Sequence, residues 1–436
     1  MSDTGRAAAT APADRAAPRV SRMAEALVGS EILRIAAEIR SLSTSGRAVC
    51  DLTVGDFSPR QFPIPEALSA ALSEAVERGE TNYQPSSGMP ELRQAVRTFY
   101  ASELGLDYPT ESLLVAGGSR PLIYGVFRTL CDPGDGVVYP VPSWNNNHYV
   151  HLSGAQGLPI VCTAEDRFLP TAAQVLPLLG RARLLCLNSP LNPSGTALAP
   201  QVLRGICEAV LDENQRREER GERPLYVLYD QVYWMLRFDD EAHVTPPGLL
   251  PELRPYTVLV DGISKAFAAT GLRVGWAAGP PDVISRMSAV LGHVGAWAPR
   301  PEQVATAALL GQPQVVHEFR RTFCAGLRRR LVLLHEGLQA LRREGLPVDS
   351  IEPMGAIYLA ARLHPFGGET PAGAVLRGNE DVRRYVLEAA GVGVVPFQAF
   401  GSTRDDGWFR LSVGAVSEEE IREALPRLAA ALRSLR

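Results

Sequence analysis

From residue 111 onward, short apolar segments alternate with amphipathic ones, and this alternation constrains the fold more than any other feature of the sequence. The apolar segments predict strands at residues 112–115, 136–139, 183–187, 225–229 and 257–260. Short apolar strands separated by helices are typical of a largely parallel sheet that helices cover on both faces. Ligands of such sheets bind beyond the carboxyl ends of the strands, so we expect the functional residues directly after these segments.

The chain is predicted to divide into four regions. They are a disordered N-terminal extension (1–20), an N-terminal segment (21–60), a large domain that carries the sheet (61–310), and a long connecting helix with a smaller α+β domain (311–436). The extension is rich in Ala, Pro and Arg, a composition that buries too little apolar surface to order a chain. Within the second and fourth regions, the pattern predicts a helical stretch over residues 23–39 and a long helix over residues 317–344.

Composition excludes several classes of protein. Of the 436 residues 46% are hydrophobic and 21% are charged, and the net charge of −4 leaves no basic surface for nucleic acid. No segment approaches the roughly 18 apolar residues of a membrane span, and the N-terminus lacks the apolar core of a signal peptide, so we expect a cytoplasmic protein. The six cysteines are scattered singly and no histidine stands at ligand spacing, so no metal site is predicted.

The chain contains one lysine, Lys265, beside 43 arginines. Arginine can replace lysine wherever any cation is sufficient. It cannot do so where the chemistry needs an amine that loses its proton, because a guanidinium stays protonated in proteins. Lys265 follows the predicted strand at 257–260 directly, and a buried lysine there could form a Schiff base. The alternative is that Lys265 is an ordinary surface lysine. That alternative does not explain why this position has a lysine when arginine is used at every other basic position.

The segments around this lysine resemble the pyridoxal-phosphate-dependent aminotransferases of fold type I, especially the bacterial aspartate-aminotransferase-like enzymes. The resemblance is carried by Asp-Gly-Ile-Ser-Lys-Ala-Phe at residues 261–267 and Thr-Gly-Leu-Arg-Val-Gly-Trp at residues 270–276. In that family the lysine forms a Schiff base with pyridoxal phosphate, and an arginine eight positions later, Arg273 here, binds the cofactor phosphate. The resemblance extends over about residues 49–432. It implies a large domain with a mostly parallel sheet between helices and a smaller α+β domain, on which the N-terminal segment packs.

The same resemblance implies roles for residues of the other motifs, most of which follow predicted strands. The cofactor ligands would be Asp230 at the ring nitrogen, Tyr233 and Asn192 at the ring hydroxyl, Trp144 stacked on the ring, Gly118, Ser119 and Arg120 at the phosphate, Ser264 beside the lysine, and Tyr83 reaching the phosphate in a neighbouring subunit. The substrate would contact Arg410 through its α-carboxylate and would lie near Gly55, Asn192 and Trp144, and His148 would support the aspartate. Glycines before a helix also favour anion binding on physical grounds, because backbone N–H groups point outward there. Each motif alone could be an ordinary turn.

The implied function is the transfer of an amino group between an amino acid and a 2-oxo acid, in a homodimer with shared active sites. The partners would be small molecules, with neither nucleic acid nor membrane involved. The same scaffold supports other reactions of amino acids, namely elimination or replacement at the β or γ carbon, decarboxylation and oxidation. A regulator built on an aminotransferase domain is the alternative outside the enzyme class, but no basic helix-turn-helix precedes residue 49.

The sequence departs from the family near the expected substrate. Aspartate aminotransferases of this type carry a lysine for the distal carboxylate of the substrate where this chain has Ser119. The adjacent Arg120 is expected to point elsewhere, because consecutive helical residues face different directions. Either Arg300 supplies the charge or the substrate is not a dicarboxylic amino acid, and the second is favoured. Phe397 and Gln398 add bulk and an amide near the expected substrate mouth, where they either shape the pocket or form an ordinary loop.

Overall fold

The computed structural model describes residues 19–27, 29, 31–44, 48–238 and 241–436. Nearly all of the predicted N-terminal extension, residues 1–18, lies outside the described residues. In chain order the strands of the described ranges are β1 (Cys50–Asp51), β2 (Leu113–Ala116), β3 (Gly136–Val141), β4 (Gln156–Val161), β5 (Ala182–Asn188), β6 (Tyr226–Asp230), β7 (Thr257–Gly262), β8 (Gly275–Ala278), β9 (Val348–Ser350), β10 (Tyr358–Leu363), β11 (Val392–Gly393), β12 (Val395–Pro396) and β13 (Trp408–Ser412).

Helices separate most of these strands. In chain order the α-helices of the described ranges are α1 (Arg22–Glu25), α2 (Glu31–Thr44), α3 (Glu66–Glu77), α4 (Pro90–Leu104), α5 (Ser119–Leu130), α6 (Asn146–Ser153), α7 (Ala172–Leu179), α8 (Pro200–Arg220), α9 (Pro246–Leu249), α10 (Ile263–Ala266), α11 (Pro281–His293), α12 (Arg300–Leu310), α13 (Pro313–Arg343), α14 (Asn379–Ala390) and α15 (Glu418–Arg433). None of them is both long and apolar enough to cross a lipid bilayer.

A seven-stranded sheet forms the centre of the molecule, with the strand order β2-β8-β7-β6-β5-β3-β4. The five strands from β7 to β4 run parallel, which confirms the largely parallel sheet predicted from the sequence. β8 runs antiparallel to both of its neighbours and was not predicted. It has only four residues, and the first two of them are the end of the motif at residues 270–276, so the sequence pattern did not separate it from that motif.

Both faces of this sheet are buried, as is expected for parallel strands that helices cover on both sides. Along β5, Leu184 and Cys186 belong to one apolar cluster and Leu185 and Leu187 to another on the opposite face. Each such side chain contributes roughly 1.5–3 kcal/mol when it is removed from water. The continuous apolar runs in the sequence therefore arise because neither face of these strands meets solvent.

A second sheet, with the order β12-β13-β10-β9, is antiparallel and lies in the C-terminal part of the chain. The N-terminal segment joins this part of the chain, since Cys50 of β1 pairs in parallel with Val392 of β11. The last helix begins with a capping box, in which Ser417 caps α15 and the Glu420 side chain reaches back to the Ser417 amide. The helical stretch predicted over residues 23–39 is instead two helices, with Gly29 in the break. The division into four regions stays a prediction.

Candidate active site

Most of the predicted site residues meet at one edge of the large sheet, beyond the carboxyl ends of its strands. Asp230 is the last residue of β6, and Lys265 lies on α10, directly after β7. Asn192 follows β5, Trp144 follows β3, and Gly118 follows β2. Because β8 is antiparallel to both β2 and β7, β2 points the same way as the parallel strands and brings its glycines to the same edge.

The Lys265 side chain lies deep in this cleft and still faces open space, since it is only half-buried. Its Nζ donates a hydrogen bond of 2.5 Å to the carbonyl oxygen of Gly55. Burial, helped by neighbouring arginine charges and opposed by the carboxylate of Asp56, lowers the pKa of Lys265 to about 8. A substantial fraction of this amine is therefore unprotonated near neutral pH, which is the form that attacks an aldehyde.

This pKa gives a testable pH dependence for the cofactor-free protein. The rate at which Lys265 captures pyridoxal phosphate should rise with pH, with a midpoint near pH 8, because only the free amine reacts. The Asp56→Asn variant should move the midpoint to lower pH, since the Asp56 charge favours the protonated amine. Stopped-flow absorbance measures both rates. A wild-type midpoint near 10.4, the value of an ordinary lysine, would contradict this interpretation.

An anion-binding cradle lies between β2 and α5. Gly118 has a φ of +96°, and a Cβ placed on it would collide with the guanidinium of Arg273. That guanidinium donates from Nη1 to the carbonyl oxygen of Thr270 at 2.7 Å and from Nη2 to that of Gly117 at 3.1 Å. Ser119 is the first residue of α5, so its amide and hydroxyl lie at the positive end of the helix. These groups fit a phosphate.

The Gly118→Ala variant should raise the dissociation constant for pyridoxal phosphate at least about tenfold, because the new methyl group displaces Arg273 from the cradle. Gly134→Ala is the matched control. Gly134 has a similar φ of +91°, and a Cβ added to it would meet nothing within 4 Å, so this variant carries the same backbone strain without displacing a ligand. Absorbance titration of the two cofactor-free variants measures the difference. Equal affinities for the two variants would rule out this function of the cradle.

Asp230 supplies a carboxylate without a cationic partner in the part of the chain that the structure describes. Burial raises its pKa to about 7, and the Val232 amide, which donates to Oδ1 at 3.3 Å, opposes that shift. A deeply placed carboxylate of this kind fits the protonated nitrogen of a pyridine ring. His148, the predicted supporting residue, makes no hydrogen bond with Asp230 among the described residues. The charge of Asp230 instead acts on Tyr149, where it helps burial to raise the pKa of that phenol to about 12.

Arg410 on β13 is 1% exposed and has no carboxylate partner within the described ranges. Its Nη1 donates to Asn192 Oδ1 at 3.3 Å and its Nη2 to the carbonyl oxygen of Thr53 at 2.6 Å. The guanidinium lies over the rings of Tyr358 and Phe400, at 4.6 and 4.8 Å from their centroids. Its Nε is buried and makes no hydrogen bond. A buried guanidinium with an unused N–H group fits the carboxylate of a ligand.

Aromatic and small residues complete the cleft. The hydroxyl groups of Tyr233 and Tyr358 are hydrogen-bonded at 2.8 Å. A Cβ on Gly55 would lie 3.0 Å from the Tyr358 hydroxyl and 3.5 Å from Arg410, so glycine keeps this space open. The Trp144 ring packs at 6.2 Å from Phe400. Ser264 precedes the lysine on α10 and is half-buried.

The structure corrects the predicted direction of Arg120. Its guanidinium does not point away from the cleft but lies 5.0 Å over the ring of Trp144, and its charge helps to lower the pKa of Lys265. The Cα–Cβ bonds of a helix tilt toward its N-terminus. Because the N-terminus of α5 is at the cleft, the long side chain of its second residue reaches back into the site.

Other predicted residues are engaged elsewhere. Arg300 donates to Glu80 at 2.7 Å and to the carbonyl oxygen of Tyr83 at 3.4 Å. Phe397 is buried against Phe168 at a centroid distance of 4.9 Å. Gln398 accepts from Asn379 at 2.9 Å and donates to the carbonyl oxygen of Arg404 at 2.8 Å. Of the two interpretations of Phe397 and Gln398, these contacts favour the structural one.

Tyr83 is 84% exposed and packs edge-on against Trp297 within its own chain. It does not contact the cleft residues described above. Its predicted contact with a neighbouring subunit stays a prediction.

Sequence reasoning missed three residues of the cleft. Asp56 accepts a hydrogen bond of 2.5 Å from the Thr270 hydroxyl, which joins the N-terminal segment to the turn that holds Arg273. Its position directly after Gly55 was a signal that could have been used. Thr270 lies in the motif at residues 270–276, so its position between Lys265 and Arg273 was a signal as well. Tyr358 carried no such signal, because it reaches the cleft through long-range packing.

Comparison with known proteins gives the family of this chain and the class of reaction it belongs to. The family model described as aminotransferase class I and II matches residues 47–428, so the chain belongs to that family. Its members generally depend on pyridoxal phosphate. The predicted family, fold class and transaminase activity are thereby confirmed.

The chain is similar to proteins described as aspartate or aspartate/prephenate aminotransferases. The chain is 35% identical over 405 residues to the aspartate aminotransferase of Rhizobium meliloti, covering 92% of this chain and 93% of the relative. It is 31% identical to the aspartate/prephenate aminotransferase of Thermus thermophilus, covering 95% and 98%. Among solved structures, the Rhizobium meliloti enzyme superposes with a TM-score of 0.86 at 33% identity, covering 96% of this chain and 100% of the other. The Thermus thermophilus enzyme with maleate gives 0.83 at 29% identity, covering 95% and 100%.

Proposed function

We propose that this transaminase binds pyridoxal phosphate through Lys265 and moves an amino group between an amino acid and a 2-oxo acid. The observation that carries the proposal is a set of charged groups in the cleft that have no oppositely charged partner among the described residues. Arg273 with its glycine cradle fits a phosphate, Asp230 fits a protonated ring nitrogen, and Arg410 fits a substrate carboxylate. The only lysine of the chain lies in the same cleft.

Bound pyridoxal phosphate supplies an aldehyde carbon for amino groups and a protonated ring that accepts negative charge from the substrate Cα. The protein would supply binding and proton transfer. The guanidinium of Arg410 binds the α-carboxylate and orients the Cα–H bond. Because the pKa of Lys265 is lowered to about 8, its amine can take up the Cα proton and release it again at neutral pH.

The other groups tune this site. Asp230 would pair as a carboxylate with the protonated ring nitrogen and keep that nitrogen protonated, so that the ring accepts the negative charge that develops as the proton leaves. Asn192 and Tyr233 offer hydrogen bonds to the ring hydroxyl, and Trp144 offers a flat apolar face to the ring. Gly55 keeps space open for the substrate next to Arg410.

The proposal also covers the oligomeric state of the protein and its location in the cell. We propose a cytoplasmic homodimer in which the exposed Tyr83 of one subunit reaches the phosphate site of the other. Static light scattering should give twice the 47.1 kDa chain mass, and Tyr83→Ala should weaken cofactor binding without changing that mass. A monomer that is fully active would exclude the shared site.

A panel of amino acids tests the reaction. The purified, cofactor-loaded protein is mixed with each amino acid and no acceptor, and products are identified by mass spectrometry. Transamination predicts one equivalent of the matching 2-oxo acid and conversion of the cofactor to its amine form, which a second 2-oxo acid reverses. Release of ammonia, carbon dioxide or hydrogen peroxide with the cofactor unchanged would point instead to elimination, decarboxylation or oxidation.

A further inference from the structure

A network of buried polar side chains lies beside the cleft and takes no part in the proposed reaction. Each of its members is at most 2% exposed, and we call the set the buried hub: Tyr100, Gln231, Trp234, Asp261 and Trp276. The Tyr100 hydroxyl is its centre. It accepts hydrogen bonds from Gln231 Nε2 at 3.1 Å and from Trp276 Nε1 at 3.0 Å, and it donates to Asp261 Oδ2 at 3.1 Å.

The donors around Asp261 fix its protonation state. Its Oδ2 also accepts from Trp234 Nε1 at 2.7 Å, and its Oδ1 accepts from the Gly262 amide at 2.7 Å. An indole and a backbone amide can only donate. The Tyr100 hydroxyl already accepts two bonds, so its own hydrogen goes to Asp261. All three bonds therefore require the ionised carboxylate, which has no cationic partner among the described residues.

Stability alone does not account for this carboxylate. Burial raises the pKa of Asp261 to about 7, although its three hydrogen bonds oppose the shift, so keeping it ionised costs free energy. Apolar residues of similar volume often stabilise a protein as well as buried charges do. What a fully satisfied polar network adds is rigidity, because it holds the segments that it joins in one arrangement.

The hub joins the three strand ends that carry the proposed cofactor ligands. Each strand end contributes one hub residue close in sequence to a ligand: Gln231 directly follows Asp230 on β6, Asp261 on β7 precedes Lys265 by four residues, and Trp276 on β8 follows Arg273 by three. The Tyr100 hydroxyl, which comes from α4, is hydrogen-bonded to all three of these hub residues.

The hub lies on the opposite face of the sheet from the proposed ring site. Asp230 shares its face of β6 with Leu228, which belongs to one apolar cluster. Tyr100, Trp234 and Trp276 belong to the cluster on the other face. The hub side chains therefore point away from the ring that Asp230 is proposed to bind, and they act on the site through the strand ends.

We propose that Asp261 and Tyr100 are positioning residues, which hold the ends of β6, β7 and β8 so that all three cofactor ligands reach the same molecule of pyridoxal phosphate. This inference rests on the proposed function, since it needs the cofactor in the cleft. Arg410 does not depend on the hub, because it lies on β13 of the second sheet and donates to Asn192 and Thr53. Loss of the hub should thus impair cofactor binding and turnover without weakening the binding of the substrate carboxylate.

Two variants test the proposal at pH 8, where the Asp261 carboxylate is mostly ionised. Asp261→Asn keeps the shape but turns an N–H group toward the hub donors, and Tyr100→Phe removes the hydroxyl that joins the strands. In each cofactor-free variant, the dissociation constant for pyridoxal phosphate should rise at least about tenfold. In single turnovers with the amino acid that the wild type converts fastest, the maximal rate should fall at least about 30-fold, and the half-saturating concentration should change less than about threefold.

Asn214→Ala is the matched control. Asn214 is 4% exposed and makes two hydrogen bonds with the backbone of Leu225, which directly precedes β6 at the other end of that strand. This variant should lower the thermal unfolding temperature as the hub variants do, because it also removes a buried polar side chain. Its cofactor affinity and maximal rate should change less than about twofold, since no cofactor ligand lies at that end of the sheet.

The double variant shows whether the hub acts as a unit. Asp261→Asn combined with Tyr100→Phe should lose little more than the worse single variant, because both break the same network. Losses that multiply would overturn the proposal. So would hub variants that match Asn214→Ala in cofactor affinity and rate, or a loss confined to the half-saturating concentration.

Tyr100→Phe decides by the same criteria if Asp261→Asn does not fold. The proposed function fails in a different way. A wild type that transaminates no amino acid of the panel would refute that function even if the hub variants bound pyridoxal phosphate weakly.

Discussion

The Lys265→Ala variant is expected to lose amino transfer, with kcat lower by at least about 10⁴-fold, because it removes both the attacking amine and the group that moves the Cα proton. Its side chain fits no other role in the cleft, since its one hydrogen bond goes to a backbone carbonyl. Steady-state kinetics with an amino donor and a 2-oxo acid measure the loss. The fold should persist, because a half-buried cation is removed rather than an apolar side chain.

Lys265→Arg is the matched control for charge. It keeps a cation in the cleft, but a guanidinium does not lose its proton at neutral pH. It should therefore be as inactive as the alanine variant. Substantial activity in either variant would show that another group carries out the proton transfer.

The Asp230→Asn variant is expected to lower kcat by about 10³-fold, because a neutral amide of the same shape no longer keeps the ring nitrogen protonated and an unprotonated ring accepts negative charge less well. The same substitution should make the cofactor-free protein more stable, although it lowers the activity. Burial raises the pKa of Asp230 to about 7 in the cofactor-free protein, so holding this carboxylate ionised opposes folding. That cost is absent below the unfolded pKa of about 3.9, grows as the pH rises toward 7, and is constant above it.

The variant should therefore unfold at a higher temperature than the wild type at pH 8, and the gain should shrink as the pH falls toward 4. Thermal unfolding of both cofactor-free proteins across this pH range measures the difference. Asp230→Glu is the control, since it keeps the charge and should retain part of the activity. A variant with nearly full activity, or one destabilised at pH 8, would contradict the role given to Asp230.

Residues that follow strands could be predicted from the sequence. The alternation of apolar and amphipathic segments predicted the parallel sheet, and the carboxyl ends of its strands carry Lys265, Asp230 and Asn192. Lys265 was the easiest of these residues to predict, because the chain has no other lysine that could form a Schiff base. Such positions are predictable because strand direction alone brings them to one edge of a sheet.

Contacts that depend on side-chain direction or on distant packing could not be predicted. Arg120 was expected to turn away, and only the tilt of side chains toward the start of α5 brings it over Trp144. The bond between Asp56 and Thr270 joins residues that are 214 positions apart. Tyr358 reaches Tyr233 from a strand of the second sheet. No local pattern in the sequence indicates these contacts.

Reduction of the wild-type protein with borohydride, followed by peptide mapping, tests most directly whether Lys265 carries the cofactor. Because the chain has one lysine, the α-amino group is the only other primary amine that can be trapped. We expect one pyridoxyl phosphate group per chain, located on the peptide that contains Lys265. Reduced protein without this group on that peptide, or with the group on the N-terminus alone, would contradict the central claim.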